Sequence, residues 1–156
     1  MKVFLDTSVL LGGTIDFGPQ SDAAQRILAT LADNRIPEAG SAWHCCLEFY
    51  SVATRLPAEF RLSPADAARL LREEIMARLT IADLPAPARV LLLGSLVADG
   101  IGGGRIYDAH IAEVARAAGA RVIVTDNRRH FLAALRHGIK VETPSEFLVG
   151  LARQPK

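Results

Sequence analysis

Short apolar runs and amphipathic repeats alternate along this chain. Val3-Phe4-Leu5 is an apolar run closed by Asp6, the pattern of a buried strand. Ser21 stands where a helix cap belongs. Behind it Ala24, Ile27, Leu28 and Leu31 recur at the spacing of one helical face, with Asp22, Gln25, Arg26 and Asp33 on the others. A second strand is expected around residues 36–39, and Ser41 then opens a helix to Arg55, stopped by Pro57. Ser63-Pro64-Ala65-Asp66 joins a capping serine, a first-turn proline and an acid three residues after the cap, predicting a helix over 63–78. Leu79-Thr80-Ile81 reads as a third strand. Residues 85–99 read as a helix that is apolar on most faces near Val90-Leu91-Leu92-Leu93, which predicts burial in the fold or in a subunit contact.

Residues 100–104, four of them glycine, form a flexible connector. A helix is predicted from Tyr107 to Ala118, with Gly119 as its stop. Arg121-Val122-Ile123-Val124-Thr125 is the clearest strand. A helix over 130–137, ended by Gly138, leads to a last strand at Ile139-Lys140-Val141, and Thr143-Pro144-Ser145-Glu146-Phe147 begins a terminal helix. Strands alternating with helices predict an α/β sandwich around a mostly parallel sheet. With no repeat, low-complexity tract or long linker to divide the chain, residues 1–150 are expected to form one domain and 151–156 a short tail.

Composition narrows the function classes. The 156 residues are 50% hydrophobic and 22% charged, the balance of an ordinary folded globule, and alanine and leucine favour helix. A net charge of +1 gives no global basic field, so a polyanion would need a local cluster or a bound metal. Cys45 and Cys46 are adjacent and lack metal-ligand spacing, which predicts small buried side chains and suits a reducing cytoplasm. The opening Met1-Lys2-Val3-Phe4-Leu5-Asp6 is too short for the core of a signal peptide. Residues 90–98 contain a glycine and a serine and fall short of the roughly 20 apolar residues a bilayer span needs. The expectation is a soluble cytoplasmic protein with no membrane partner.

The candidate chemistry lies in carboxylates. Groups beyond the carboxyl ends of parallel strands gather at one edge of the sheet, and Asp6 and Asp126 each directly follow a predicted strand. Either alone serves equally well as a helix cap or turn former. Asp108 heads the stripe Asp108, Ile111, Ala112, Ala115, so it leads the apolar face of its helix, although an acid in a first turn is also favoured by the helix dipole. Glu48 shares a stripe with His44, Ser51 and Arg55, and by itself that stripe reads as a solvated face.

Taken in order, these segments resemble a known family. Val3-Phe4-Leu5-Asp6-Thr7-Ser8-Val9-Leu10 is similar to the opening of PIN domains, in particular the VapC-type toxins of bacterial toxin–antitoxin pairs. Ser41 with Glu48-Phe49-Tyr50 resembles the second acidic motif, and Ile106-Tyr107-Asp108-Ala109-His110-Ile111-Ala112 the third. Val122-Ile123-Val124-Thr125-Asp126-Asn127 with His130-Phe131 resembles the fourth, and Thr143-Pro144-Ser145-Glu146-Phe147 the usual ending. The resemblance implies a three-layer α/β sandwich with a mostly parallel central sheet. It implies that Asp6, Glu48, Asp108 and Asp126 hold Mg²⁺ or Mn²⁺ and cleave RNA, with a cognate antitoxin and a second copy of the chain as partners. His44-Cys45-Cys46 and the glycine-rich connector depart from the family pattern.

Elementary chemistry agrees with that implication. Carboxylates brought together repel one another, and hard divalent cations with oxygen ligands relieve the repulsion. Asp6 and Asp108 are the expected direct ligands, with Glu48 and Asp126 acting directly or through water. Thr7, Ser8 and Asn127 are candidates to orient acids or waters; Arg105, Arg128 and Arg129 are candidates to meet phosphates. His110 and His130 read as exposed or supporting groups. Apolar helices near Ile27–Leu31 and Leu70–Ile75 are the expected antitoxin surface. The glycine run is not a phosphate loop, since Arg105-Ile106 stands where a lysine and a hydroxyl residue are required. The alternatives are a haloacid-dehalogenase-like phosphatase or receiver domain, which want an early acidic pair where Ser8 stands, and a non-catalytic RNA- or protein-binding module of the same fold.

Overall fold

The structure is a computed structural model that describes residues 1–33, 35–36 and 38–153. Its centre is set by the two most apolar runs. Val3–Leu5 (β1) and Val122–Val124 (β4) pair in parallel with Val3 opposite Val122, and every residue of β1 is buried. Ala39–Ala42 (β2) pairs with the other edge of β1, Thr80–Ala82 (β3) with β2, and Lys140–Glu142 (β5) with β4. All four pairings are parallel and the strand order is β3-β2-β1-β4-β5.

Strands buried on both faces need helices on both faces. Thr7–Thr14 (α1), Asp22–Ala32 (α2), Trp43–Ala53 (α3), Pro64–Leu70 (α4) and Pro144–Ala152 (α8) pack as one group. Ala86–Ala98 (α5), Arg105–Ala117 (α6) and Leu132–Leu135 (α7) pack as another, so the chain is the predicted three-layer α/β sandwich. Phe4, Phe49, Phe131, Leu10, Ile27, Ile75 and Ile123 are fully buried between the layers. The Gly13 position lets α1 and α2 close up, because a Cβ there would run into Leu28 and come within 3.2 Å of the Ala24 carbonyl.

Several expectations shift. The strand foreseen around 36–39, where Pro37 lies outside the described residues, begins at Ala39 and runs through Ser41 to Ala42. Ser41 is therefore a buried strand residue, its Oγ donating 2.7 Å to the Leu5 carbonyl, and the helix starts two residues later. Small residues are required there: a Cβ on Gly40 would sit 2.5 Å from the Thr80 carbonyl oxygen. Ser21 does not cap α2 with its side chain; its Oγ accepts from the Phe17 N–H at 2.9 Å and holds the preceding turn. Ser63 caps as predicted, and Thr143, at the predicted start of the terminal helix, forms a reciprocal capping box with Glu146. The helix after Ser63 changes to π-helical winding over Leu71–Met76. In place of one helix over 130–137, a 3-10 turn at Arg128–Phe131 leads into the short α7.

Two expectations about surfaces are corrected. Ile27, Leu28, Leu31, Leu71 and Ile75 belong to the core, so the apolar faces foreseen for an antitoxin are already filled by this chain. Of the two placements expected for 85–99, in the fold or in a subunit contact, the single chain does not supply the first: no residue of α5 is buried, and Val90, Leu91, Leu93 and Val97 stay 63–84% exposed. Of the predicted tail, residues 151 and 152 continue α8, and 154–156 lie outside the described residues.

Candidate active site

Strand β1 delivers Asp6 to the carboxyl edge of the sheet, and β4 delivers Thr125 and Asp126 beside it. This is where the strand order turns back on itself, the usual place for a site in an open parallel sheet. Asp6 occupies the N-cap position of α1, yet its side chain makes no capping bond. Its Oδ2 instead accepts from Thr125 Oγ1 at 2.8 Å and from Ser8 Oγ at 3.1 Å. The backbone N–H of Asn127 donates to Thr125 Oγ1 (2.9 Å) and that of Asp126 to Ser8 Oγ (3.1 Å). The carboxylate is thus held by two hydroxyls, which are themselves held by the loop after β4.

Two more acids arrive from helices. Glu48 is on an exposed face of α3, as its stripe suggested, but Thr7 Oγ1 donates to its Oε2 and turns it toward Asp6. Asp108 lies in the first turn of α6, ahead of the buried Ile111, Ala112 and Ala115 as predicted, with Oδ2 3.3 Å from His130 Nδ1. Asp6, Thr7, Ser8, Glu48, Asp108 and Asn127 line one cleft of about 960 Å³. The Asp126 side chain is not part of that lining; it is exposed at the rim, joined to the cleft through its backbone bond to Ser8.

The electrostatics are those of an unneutralised acidic cluster. Burial pushes the Asp6 carboxyl above its ordinary range; bonds from Thr125, the Thr7 backbone and Ser8 pull it down, and Glu48 adds to the rise. Burial likewise raises Asp108, with His130 opposing and Glu48 reinforcing, and it raises Asp126. Among the described residues no lysine or arginine pairs with any of these four acids.

That donor set suits a hard divalent cation: hydroxyls, an amide and mutually repelling carboxylates that no lysine or arginine among the described residues ion-pairs. No three His, Cys, Asp or Glu side chains among the described residues are gathered tightly enough to enclose an ion by themselves. Mg²⁺ tolerates this, since it keeps several waters and is commonly held by one or two carboxylates.

The three arginines separate. Arg105 and Arg129 line the cleft, whereas Arg128 is 2.9 Å from Glu146 and committed to the end of α8. His130, foreseen as exposed or supporting, is both, through its contact with Asp108. Ser8, where a phosphatase or receiver domain would want a second acid, donates to Asp6. Cys45 and Cys46 are free, buried thiols, pushed up by burial to about 12 and about 11, as the reading of inert packing residues requires.

Thr125 has no signal of its own in the sequence. A hydroxyl closing a run of β-branched apolar residues reads as one more strand residue, and only the pairing of β4 with β1 shows that it faces Asp6. Tyr107 also lines the cleft, beside Asp108.

Comparison with known proteins places these residues in context. A family model described as PIN domain matches residues 2–129. The chain is 38% identical over 91 residues to Ribonuclease VapC27 of Mycobacterium tuberculosis, across 58% of this chain and 64% of that protein, just under two thirds of its length. It is 32% identical over 123 residues to Ribonuclease VapC40 of the same species, across 79% of this chain and 85% of that protein. A solved DNA-bound VapBC from Salmonella typhimurium shares the fold with a TM-score of 0.62 at 22% identity, covering 92% of this chain and 98% of that one.

Proposed function

Because the chain belongs to the PIN-domain family, we propose that it is a divalent-metal-dependent endoribonuclease, the toxin of a bacterial toxin–antitoxin pair. The observation that carries the reading is the meeting of Asp6, Glu48 and Asp108 in one cleft, none of them ion-paired with an arginine or lysine among the described residues, in a chain related to named ribonucleases. Asp6 and Asp108 would hold Mg²⁺ or Mn²⁺, with Glu48 and Asp126 contributing directly or through water. Such an ion, when bound, makes water a competent nucleophile at neutral pH and offsets charge on the phosphodiester.

The chain's own groups do the positioning. Ser8 and Thr125 fix the Asp6 carboxylate, and Thr7 fixes Glu48. Arg105 and Arg129 meet the phosphates of the RNA on the walls of the cleft. A cognate antitoxin blocks the same cleft, where the exposed Leu132 gives it an apolar foothold that the buried faces of α2 and of Leu70–Ile75 do not. The exposed face of α5 is the surface offered to a second copy of the chain. Among the described residues no helix is long and apolar enough to cross a membrane, and we propose the cytoplasm, where RNA is found, as the place of the activity.

The test is RNA cleavage by the protein freed of any partner, in Mg²⁺ or Mn²⁺ against EDTA, with wild type beside Asp6→Asn. Cleavage by wild type that EDTA and the substitution both abolish is expected. Equal cleavage by the two proteins, or none by wild type, removes the nuclease reading.

A further inference from the structure

Beside the carboxylates the cleft carries Tyr107, the outer ring of an aromatic stack that the hydrolytic chemistry does not use. Tyr107 of α6 lines the cleft and is 54% exposed. Its ring lies on that of His44 from α3, centroids 5.3 Å apart and planes 18° from parallel. His110, one turn along α6, meets His44 edge-on at 5.5 Å and 72°. Both spacings fall within the roughly 4.5–7 Å at which aromatic rings attract. Tyr107 is therefore ordered by a ring beneath it while over half its surface stays open.

Resting on the nuclease reading, we propose that Tyr107, braced by His44, is a stacking platform for an unpaired base of single-stranded RNA next to the scissile phosphate. Two observations and one general rule choose this occupant. Tyr107 and Asp108 line the same cleft, so a base on the ring and a phosphate at the acids can belong to one bound strand. Arg105 and Arg129 line the same cleft, and among the described residues neither is in an ion pair, so the walls complement a phosphate backbone. Stacked aromatics flanked by cationic side chains are how proteins hold single strands, whereas a paired helix keeps its bases inside the duplex.

The experiment uses a short unstructured RNA carrying 2-aminopurine, titrated with the full chain in Mg²⁺ on an Asp6→Asn background to prevent cleavage. Stacking on Tyr107 quenches the probe. Tyr107→Ala should remove the quench and raise Kd about 5- to 150-fold, the range of one base–aromatic stack. Tyr107→Trp should retain both, and His44→Ala should weaken both while leaving Tyr107 in place. An RNA with an abasic residue at the probe position should bind wild type and Tyr107→Ala alike. Unchanged Kd and quench in Tyr107→Ala overturn the platform, as does an equal loss on the abasic RNA or a loss of affinity confined to a protein partner. The two readings fail separately: RNA cleavage by the Asp6 form with KM unaffected by Tyr107→Ala overturns the platform alone, and an Asp6 form that cleaves no RNA overturns both.

Discussion

Thr125 Oγ1 donates a 2.8 Å hydrogen bond to Asp6 Oδ2 across 119 positions of sequence. The bond has a fixed polarity. An ionised carboxylate can only accept, so the Thr125 hydroxyl gives it its proton while Thr125 Oγ1 accepts the Asn127 N–H, and Ser8, accepting from Asp126 N–H, is placed in the same way. Two backbone amides of the loop after β4 thereby set the orientation of an acid that follows β1. A buried acid would otherwise turn toward whatever donor it could find.

Thr125→Val tests that relay, since valine keeps the shape and removes the hydroxyl. The Asn127 N–H and one lone pair of Asp6 lose their partner, a cost of about 1–3 kcal/mol in a buried setting. Supporting groups of this kind typically alter metal affinity by about 10–100-fold. Chemical denaturation and Mn²⁺ titration should show both losses, and Thr125→Ser should recover most of each. A Thr125→Val protein that binds Mn²⁺ like wild type would refute the orienting role.

Asp6→Asn should abolish cleavage and stabilise the metal-free fold at neutral pH. The Asp6 carboxyl is raised above its ordinary 3.8, chiefly by burial, so its charged form is the one the fold disfavours. For a raised carboxyl the stabilising contribution is complete below the unfolded value and is lost as pH rises through the folded one. The Tm advantage of Asp6→Asn in EDTA should therefore be largest at neutral pH and shrink as pH falls toward 4. Metal, which needs the deprotonated group, should reverse the order in favour of wild type. A Tm difference that is flat with pH would contradict burial as the cause of the raised carboxyl.

How much of this could be read in advance depended on whether the signal was local. Val3-Phe4-Leu5 and Val122-Ile123-Val124 announce buried strands because strands covered on both faces are apolar throughout, and each is followed by an acid at the carboxyl edge of the sheet, Asp126 after Thr125. Ala39-Gly40-Ser41-Ala42 carries no such run; its strand identity comes from the close approach of Thr80, which only the assembled sheet reveals. The turn of Glu48 toward Asp6 was likewise invisible, because the partner hydroxyl, Thr7, lies 41 residues away. Asp126 ran the other way. Its place after a strand made it a candidate beside Asp6, acting directly or through water, and the fold leaves its side chain exposed at the rim.

The neighbouring Arg128 and Arg129 should behave differently toward RNA. Arg129 lines the cleft and Arg128 is bound to Glu146, both partners of that pair about half exposed. Arg129→Ala should weaken binding of single-stranded RNA and lower the slope of log K against log salt by about one. Arg128→Ala should leave RNA affinity alone, with a stability change of about 0–1 kcal/mol expected of an exposed pair. Equal salt slopes for wild type and Arg129→Ala would take that arginine out of the phosphate path.

The exposure of α5 is hard to reconcile with a chain that works alone. Val90, Leu91, Leu93 and Val97 are 71%, 66%, 63% and 84% exposed on one 13-residue helix, and solvent gains nothing from holding them there. Fully burying such side chains is worth about 1.5–3 kcal/mol each, so a self-complementary contact along α5 has its driving force in hand. Leu93→Glu with Val97→Glu should leave the Tm of an isolated chain almost unchanged, because neither side chain packs into the core. In an assembled dimer the same pair would bury two unpaired charges per copy. Light scattering should accordingly find wild type dimeric and the double variant monomeric at the same concentration, with metal-dependent cleavage by each copy retained if the cleft is complete within one chain. Wild type that stays monomeric at every concentration would remove the second copy from α5.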